Sequence, residues 1–221
     1  MPQVTLDIAS KRKLIVAQKF DHKNDATLFH GDCMQLLQSM PDKSARLIVT
    51  SPPYVTSYEY ADLHQLGILW FGYANDWISF KKKFIGTSHR EGKNKNIYSY
   101  IGDEIIKKLQ YNDATLAKSV RAYYEDMANF IIESKRILKK GKRASLVLGN
   151  TTIKGVEILN AEVAFEQMQT VGFKNLKVDK RQTSSQSITP YRDIKSGRFT
   201  SLSNPYKRRA YQYEYIITGV N

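Results

Sequence analysis

Cysteine, histidine and long apolar runs are all scarce in this chain of 221 residues, and each scarcity excludes a class of protein. The single cysteine, Cys33, cannot form an intrachain disulfide, and the four scattered histidines offer no spacing for a structural metal site. No apolar run approaches the roughly 18–20 residues that cross a bilayer, and the first residues lack a signal-peptide pattern. We therefore expect a cytoplasmic protein with no membrane contact, no disulfide and no bound metal.

The chain is also poor in proline and glycine, with 6 and 12 respectively, and 42% of its residues are hydrophobic. This composition is typical of a globular protein, and the length suits one domain spanning residues 1–221. Short apolar runs alternate with amphipathic segments, as expected for an open α/β sheet flanked by helices.

Acidic residues are scarce where basic ones gather. The net charge is +13, and residues 81–108 and 174–221 carry net charges of +5 and +7. Tyrosine and phenylalanine are interleaved with these charges, which favours nucleic acid over a plain solvated surface. Residues 76–115 and 182–209 show no clear periodicity, so we expect basic loops there. The candidate nucleic-acid contacts are Arg90, Lys93, Lys95, Arg192, Lys207, Arg208 and Arg209.

The ordered elements follow from apolar periodicity and from the residues that bound each run. We expect Asp32 to cap a short helix that begins at Cys33. The predicted strands are 26–30, 45–50, 143–149, 173–181 and 211–218, and the predicted helices are 33–40, 118–140 and 160–171.

A rigid tetrapeptide, Ser51, Pro52, Pro53 and Tyr54, follows the predicted strand 45–50. In an open α/β sheet, ligands bind at the carboxyl ends of the strands. The two prolines fix the backbone and remove two N–H donors, which leaves carbonyl oxygens free as acceptors. An exocyclic amine could donate to the Ser51 hydroxyl and the Pro52 carbonyl while its base stacks on Tyr54. Packing of Tyr54 in an ordinary turn is the alternative.

The surroundings of this turn resemble a known family. The segment Leu28–Cys33 ends in a Gly-Asp-Cys element, and Thr-Ser-Pro-Pro-Tyr follows about 20 residues later, as in the S-adenosylmethionine-dependent amino-methyltransferases of DNA. The resemblance continues through 123–127, 136–141, 146–150, 172–173 and 213–216. It implies an open, mostly parallel, Rossmann-like methyltransferase sheet and a double-stranded DNA substrate whose target base is flipped out. Serine at the first position of the turn is the form typical of cytosine-N4 enzymes, and adenine-N6 is the alternative.

The resemblance also implies roles for single residues. Ser51 and Pro52 would accept the hydrogens of the target amine, Pro53 would shape the turn, and Tyr54 would stack on the flipped base. Gly31, Asp32 and Cys33 would lie beside the cofactor, with Cys33 as a small apolar neighbour and not as a nucleophile.

The chain departs from the family in one respect, because no two of its glycines are separated by a single residue and the FxGxG cofactor loop is absent. We therefore expect about five of the usual seven strands. The explanations are a second polypeptide carrying that loop, a truncated or degenerate copy, and a pocket that the N-terminal 25 residues and a second subunit complete in another way. The expected partner is that second polypeptide or, alternatively, a second copy of the chain in a homo-oligomer. A catalytically silent DNA-binding subunit and a protein-glutamine methyltransferase remain as alternative functions.

Overall fold

A computed structural model describes residues 28–55, 60–182, 191–196, 198–209 and 213–221 of the chain. The chain divides into two compact units, Met1–Leu36 and Leu37–Asn221. Within the described ranges, the helices are all too short or too polar to cross a membrane.

Seven helices and nine strands are assigned in these ranges. The helices are α1 (Cys33–Ser39), α2 (Tyr60–Leu63), α3 (Gln65–Trp70), α4 (Trp77–Lys81), α5 (Tyr100–Asn112), α6 (Ala114–Ile137) and α7 (Asn160–Val171). The strands are β1 (Ala45–Thr50), β2 (Leu138–Gly149), β3 (Thr151–Ile153), β4 (Val156–Ile158), β5 (Lys174–Gln182), β6 (Tyr191–Asp193), β7 (Phe199–Thr200), β8 (Lys207–Arg209) and β9 (Tyr213–Val220).

The main sheet has four strands in the order β1-β2-β9-β5. Strand β1 is parallel to β2, whereas β9 is antiparallel to both β2 and β5. The described sheet is therefore mixed: β1, β2 and β5 run in one direction, as expected of a mostly parallel sheet, and β9 runs antiparallel between β2 and β5. The reason lies in the connections: α6 and α7 provide the crossovers that parallel strands need, but no helix is described between β5 and β9.

The two faces of this sheet differ. Helices α6 and α7 pack on one face, where Leu146, Leu148 and Ile217 are buried completely or nearly so. Alternate residues of the strands point to the opposite face, which we call the open face. There, Leu47 and Val49 of β1 are 61% and 66% exposed.

Helix α6 is the longest described element and contributes a row of buried residues to the core. It begins after Asp113, whose carboxylate accepts a hydrogen bond from the Leu116 amide at 3.0 Å, as an N-cap does. Its buried residues include Val120, Tyr123, Met127 and Ile131. The helix starts four residues before the predicted boundary and ends at Ile137, because β2 already begins at Leu138.

The two basic segments are more ordered than their sequences predicted. Residues 76–115 contain α4 and α5, and the described part of 182–209 contains the three-stranded sheet β7-β6-β8. Irregular loops were expected here, but α5 is a helix with Ile105, Ile106 and Leu109 buried. Two lysines between Ile106 and Leu109 hide this apolar periodicity in the sequence. The start of α5 is nevertheless capped, since the Ser99 hydroxyl accepts from the Gly102 amide at 2.9 Å. The predicted strand at 26–30 is not seen over residues 28–30, and its first two residues lie outside the described ranges.

Candidate active site

The tetrapeptide Ser51 to Tyr54 begins where β1 ends, as predicted. Strand β2 runs parallel beside it, with Thr50 in register with Leu146. The carboxyl ends of β1 and β2 therefore meet at the same edge of the sheet. Pro52 is buried and Ser51 is exposed, so the turn is anchored on one side and open to solvent on the other.

The Ser51 hydroxyl donates a hydrogen bond across this edge to the carbonyl oxygen of Val147, at 3.2 Å. A hydroxyl has one proton to donate and two lone pairs with which to accept. Because the proton is already engaged, the Ser51 oxygen presents itself to a ligand as an acceptor. That is the polarity that an incoming amine requires.

Tyr54 is half-buried against the core, and its hydroxyl donates to Oε1 of Glu214 at 3.4 Å. The other carboxylate oxygen of Glu214 forms an ion pair with Arg181, which raises the pKa of that guanidinium. In the sheet register, Glu214 of β9 lies opposite Gly149 of β2 on one side and opposite Arg181 of β5 on the other. Three strands thus contribute to the surroundings of the Tyr54 hydroxyl.

Gly86, which follows α4 in the chain, lies close to the backbone of the same turn. Its φ is +81°, and a Cβ atom at this position would lie 3.1 Å from the carbonyl oxygen of Tyr54 and 3.6 Å from the ring of Tyr123. A side chain at position 86 would therefore meet both backbone strain and a close backbone contact. The glycine allows the segment after α4 to approach the Tyr54 backbone.

The end of β2 is tied to the start of α7 by amide side chains. Asn160 donates from Nδ2 to the carbonyl of Gly149 at 2.9 Å. Asn150 donates to Glu162 at 2.6 Å and accepts from the Ala161 amide at 2.9 Å. These bonds use the polar groups at the end of the strand and hold its position.

The predicted cofactor residues Gly31, Asp32 and Cys33 belong to the first unit. Oδ1 of Asp32 accepts from the amides of Met34 and Gln35 at 2.9 and 3.0 Å, which confirms the predicted helix cap. The second carboxylate oxygen of Asp32 is not used in the cap. Cys33 is exposed, and its pKa is raised by partial desolvation and by the neighbouring carboxylate of Asp32. A raised thiol pKa is the opposite of what a nucleophilic cysteine needs.

The seven candidate DNA contacts fall into two groups. The side chains of Lys93, Lys95, Lys207, Arg208 and Arg209 are exposed and could reach a phosphate. Arg90 is half-buried in an ion pair with Asp126, and Arg192 is buried with its guanidinium 4.4 Å from the Phe199 ring centroid. Both of these arginines make contacts within the protein and are less accessible to DNA than the five exposed side chains.

A buried carboxylate holds the first basic segment on α6. Glu125 is 5% exposed, and its two oxygens accept from the backbone amides of Lys93 and Lys95 at 2.8 and 3.0 Å. The backbone is thereby fixed while both lysine side chains remain in solvent. A fixed backbone reduces the conformational entropy that is lost when such side chains bind a ligand.

Sequence reasoning missed the supporting residues of this site: Arg181, Glu214, Gly86 and Glu125. Glu214 had a signal, because it is one of only three acidic residues in the basic stretch 174–221. The other three are recognisable only through contacts between residues that are distant in the sequence.

No family model matches the chain. A type II methyltransferase, M.AvaI, from Nostoc sp. is 22% identical over 203 residues, as is its counterpart from Anabaena variabilis. The match covers 77% of this chain and 42% of each relative, so the chain spans less than half of their length. M.ScaI, a type II methyltransferase from Streptomyces caespitosus, is 33% identical over 78 residues, which are 35% of this chain and 23% of that protein.

Among solved structures, a Thermus thermophilus protein provisionally described as a DNA modification methylase aligns with 86% of this chain and 52% of its own. The sequence identity is 20% and the TM-score is 0.44. The same protein complexed with S-adenosyl-L-methionine aligns with a TM-score of 0.42, at 19% identity, over 86% of this chain and 53% of its own. Likeness at this level decides nothing about function.

Proposed function

We propose that this chain is the catalytic part of a site-specific DNA methyltransferase that methylates the exocyclic N4 amine of cytosine, with S-adenosylmethionine as the methyl donor. The observation that carries the proposal is the Ser51 hydroxyl, which is exposed at the carboxyl end of β1 with its proton engaged by Val147. The similarity of 77% of the chain to the type II methyltransferase M.AvaI supports methyl transfer as the activity.

The chain's own residues would act on the target base. The Ser51 oxygen and the Pro52 carbonyl would accept the two amine hydrogens and orient the nitrogen lone pair away from the turn. Tyr54 would stack on the base, which is extruded from the duplex so that the amine can reach the turn. Acceptance of both hydrogens places electron density on the nitrogen and makes it a better nucleophile.

The residues of this chain fit only part of the cofactor. When bound, S-adenosylmethionine supplies an electrophilic methyl group. Asp32 has one carboxylate oxygen available beside the small side chain of Cys33, which suits contact with a nucleoside edge. The chain has no glycine-rich turn that would bring backbone amides close to the methionine portion. The chain's own residues would therefore not hold the whole cofactor.

We propose that a second polypeptide carrying the glycine-rich loop completes the cofactor pocket. The open face supports this, because Leu47 and Val49 lie exposed on strand β1 at the end of the sheet order. Exposed apolar side chains on an edge strand are a surface for association. A homo-oligomer would cover the same residues without supplying that loop.

Double-stranded DNA is the proposed substrate, held through the exposed cations of the two basic segments. Lys93 and Lys95 lie on a backbone fixed by Glu125, and Lys207 to Arg209 form β8. The type II relatives suggest a restriction-modification setting.

The test is nucleoside mass spectrometry of unmethylated phage DNA after incubation with the protein, its proposed partner and S-adenosylmethionine. The proposal predicts N4-methylcytosine, and Tyr54→Ala should abolish most of it. N6-methyladenine alone would reassign the target base and leave the reaction class in place. DNA that is bound but carries no methylated base would favour a silent DNA-binding subunit.

A further inference from the structure

We infer that Glu214, together with Arg181, is a positioning residue that sets the orientation of the Tyr54 ring against the target base. This inference rests on the proposed function, because it assigns a supporting role within the same site. The residues concerned lie on three elements: the turn after β1, the start of β9 and the end of β5.

The carboxylate of Glu214 divides its two oxygens between two partners. Oε1 accepts from the Tyr54 hydroxyl at 3.4 Å, and Oε2 takes the guanidinium of Arg181. The Glu214 side chain is 23% exposed, so it lies largely out of solvent, whereas that of Arg181 is 62% exposed. The arginine thus neutralises the carboxylate from the solvent side and leaves the inner oxygen for the tyrosine.

The register of the sheet explains why this carboxylate reaches the turn. Glu214 pairs with Gly149 of β2, and Ser51 binds the carbonyl of Val147 two residues earlier on the same strand. Gly149 itself has no side chain. The strand pairing that aligns β2 with β9 therefore also places Glu214 within reach of the residue that follows Ser51-Pro52-Pro53.

Tyr54 is consequently held at both ends. Gly86 packs against its backbone carbonyl, and Glu214 binds its hydroxyl. A ring free to turn about χ1 and χ2 would meet a flipped base in many orientations, and only one of them stacks face to face. Fixing the distal oxygen selects one orientation before the base arrives, which lowers the entropic cost of stacking.

A cross-strand ion pair that only stabilised the sheet would not predict coupling to Tyr54. Exposed pairs of this kind contribute little to folding. Positioning instead predicts that removal of the Glu214 carboxylate and removal of the Tyr54 hydroxyl have the same consequence. Once either is gone, loss of the other should add nothing.

The experiment measures methyl transfer to unmethylated phage DNA by the complete enzyme carrying Glu214→Ala, Tyr54→Phe or both. Each single variant should lower kcat about three- to tenfold, as expected for loss of one positioning hydrogen bond. The KM for S-adenosylmethionine should stay unchanged, and the double variant should be no slower than the slower single variant. Arg181→Lys keeps the positive charge and should retain at least half of the rate.

Glu104→Ala is the matched control, because Glu104 is ion-paired with Lys107 at 2.7 Å on α5 and lies outside the site. It should leave kcat at the wild-type value. Multiplicative effects of Glu214→Ala and Tyr54→Phe, or a wild-type kcat for Glu214→Ala, would overturn the inference. Should Glu214→Ala not fold, Tyr54→Phe alone still decides, since a wild-type kcat there excludes any role for the tyrosine hydroxyl.

A second readout separates this inference from the proposed function. The wild type, the two single variants at Glu214 and Tyr54 and the double variant are unfolded thermally. The shifts in Tm of the single and double variants are then compared. Non-additive shifts would support the contact between Tyr54 and Glu214 even if the wild-type enzyme transferred no methyl group, a result that would refute the proposed function alone. Additive shifts together with multiplicative rates would refute the positioning role and leave the proposed function intact.

Discussion

The two faces of the main sheet differ in how far their apolar side chains are buried by the described helices. On the covered face, α6 and α7 bury Leu146, Leu148 and Ile217. On the open face, Leu47 and Val49 are largely in solvent, and Ile216 is only half-buried. Along β9 the open face leads from Ile216 to Glu214, which binds Tyr54. The proposed active site thus borders the face that the described residues leave uncovered.

This difference in burial shows which face of the sheet contributes to folding stability through contacts within the chain. Burial of apolar side chains is the main favourable contribution to folding, and the covered face makes that contribution by itself. The open face would contribute only when another surface covers it. We infer that folding depends on the covered face, whereas the proposed partner would cover the open face.

The largest expected effect is the loss of stability when a leucine on the covered face is truncated. The same truncation on the open face serves as the comparison. Leu148→Ala leaves a cavity in a buried site and should lower the free energy of unfolding by about 2–5 kcal/mol. Leu47→Ala removes the same atoms from a side chain that is 61% exposed, and should cost less than about 1 kcal/mol. Urea unfolding of the isolated chain measures both. Equal losses would mean that the open face is already buried in solution.

The next effect concerns the turn at the edge of the open face. Tyr54→Ala should lower methyl transfer by up to about a hundredfold, because base stacking contributes about 1–3 kcal/mol. Tyr54→Phe keeps the ring and should lose only the smaller contribution of the hydroxyl. Tyr111→Ala, which removes a tyrosine that is 91% exposed on α5, is the control and should leave the rate unchanged. A near-normal rate for Tyr54→Ala would make Tyr54 a packing residue.

A smaller effect should separate two glycines with similar backbone strain. Gly86 and Gly72 have φ values of +81° and +70°, but only Gly86 would place a Cβ against Tyr54. Both alanine variants should lose about 1 kcal/mol of stability from the positive φ. Only Gly86→Ala should also lower kcat, by displacing the Tyr54 backbone. Identical rates for the two variants would remove Gly86 from the site.

The smallest effect is expected from charges that lie away from both faces. Each phosphate contact contributes about −0.9 to the slope of log affinity against log salt concentration. Replacing Lys207, Arg208 and Arg209 by alanine should therefore flatten the slope by up to about 2.7. Lys139→Ala with Lys140→Ala, exposed lysines near the other end of β2, should leave the slope unchanged. An unchanged slope in the triple variant would exclude β8 from the DNA interface.

The elements that sequence predicted well are those whose pattern is local. Helix α7 matches its predicted bounds, Asp32 caps α1, and Ser51 to Tyr54 end β1. In each case the signal, apolar periodicity or a turn residue, lies within the element. Helix α5 was missed because lysines obscure its apolar stripe.

The features that sequence did not predict depend on pairing between distant segments. The antiparallel position of β9 between β2 and β5 decides that Glu214 meets Gly149 and Arg181, residues more than 30 positions away. No local pattern encodes that register. The same holds for Glu125, which binds the amides of residues 93 and 95 across a comparable separation.

The most direct test of the central claim is a calorimetric titration of the purified 221-residue chain with S-adenosylmethionine, with its molar mass measured by light scattering. Completion of the open face by a partner predicts weak or undetectable cofactor binding by the chain alone. It also predicts self-association that Leu47→Asp reduces, because a charge on the exposed edge strand opposes its coverage. Tight, stoichiometric cofactor binding by a monomer that methylates DNA without a second polypeptide would contradict the account.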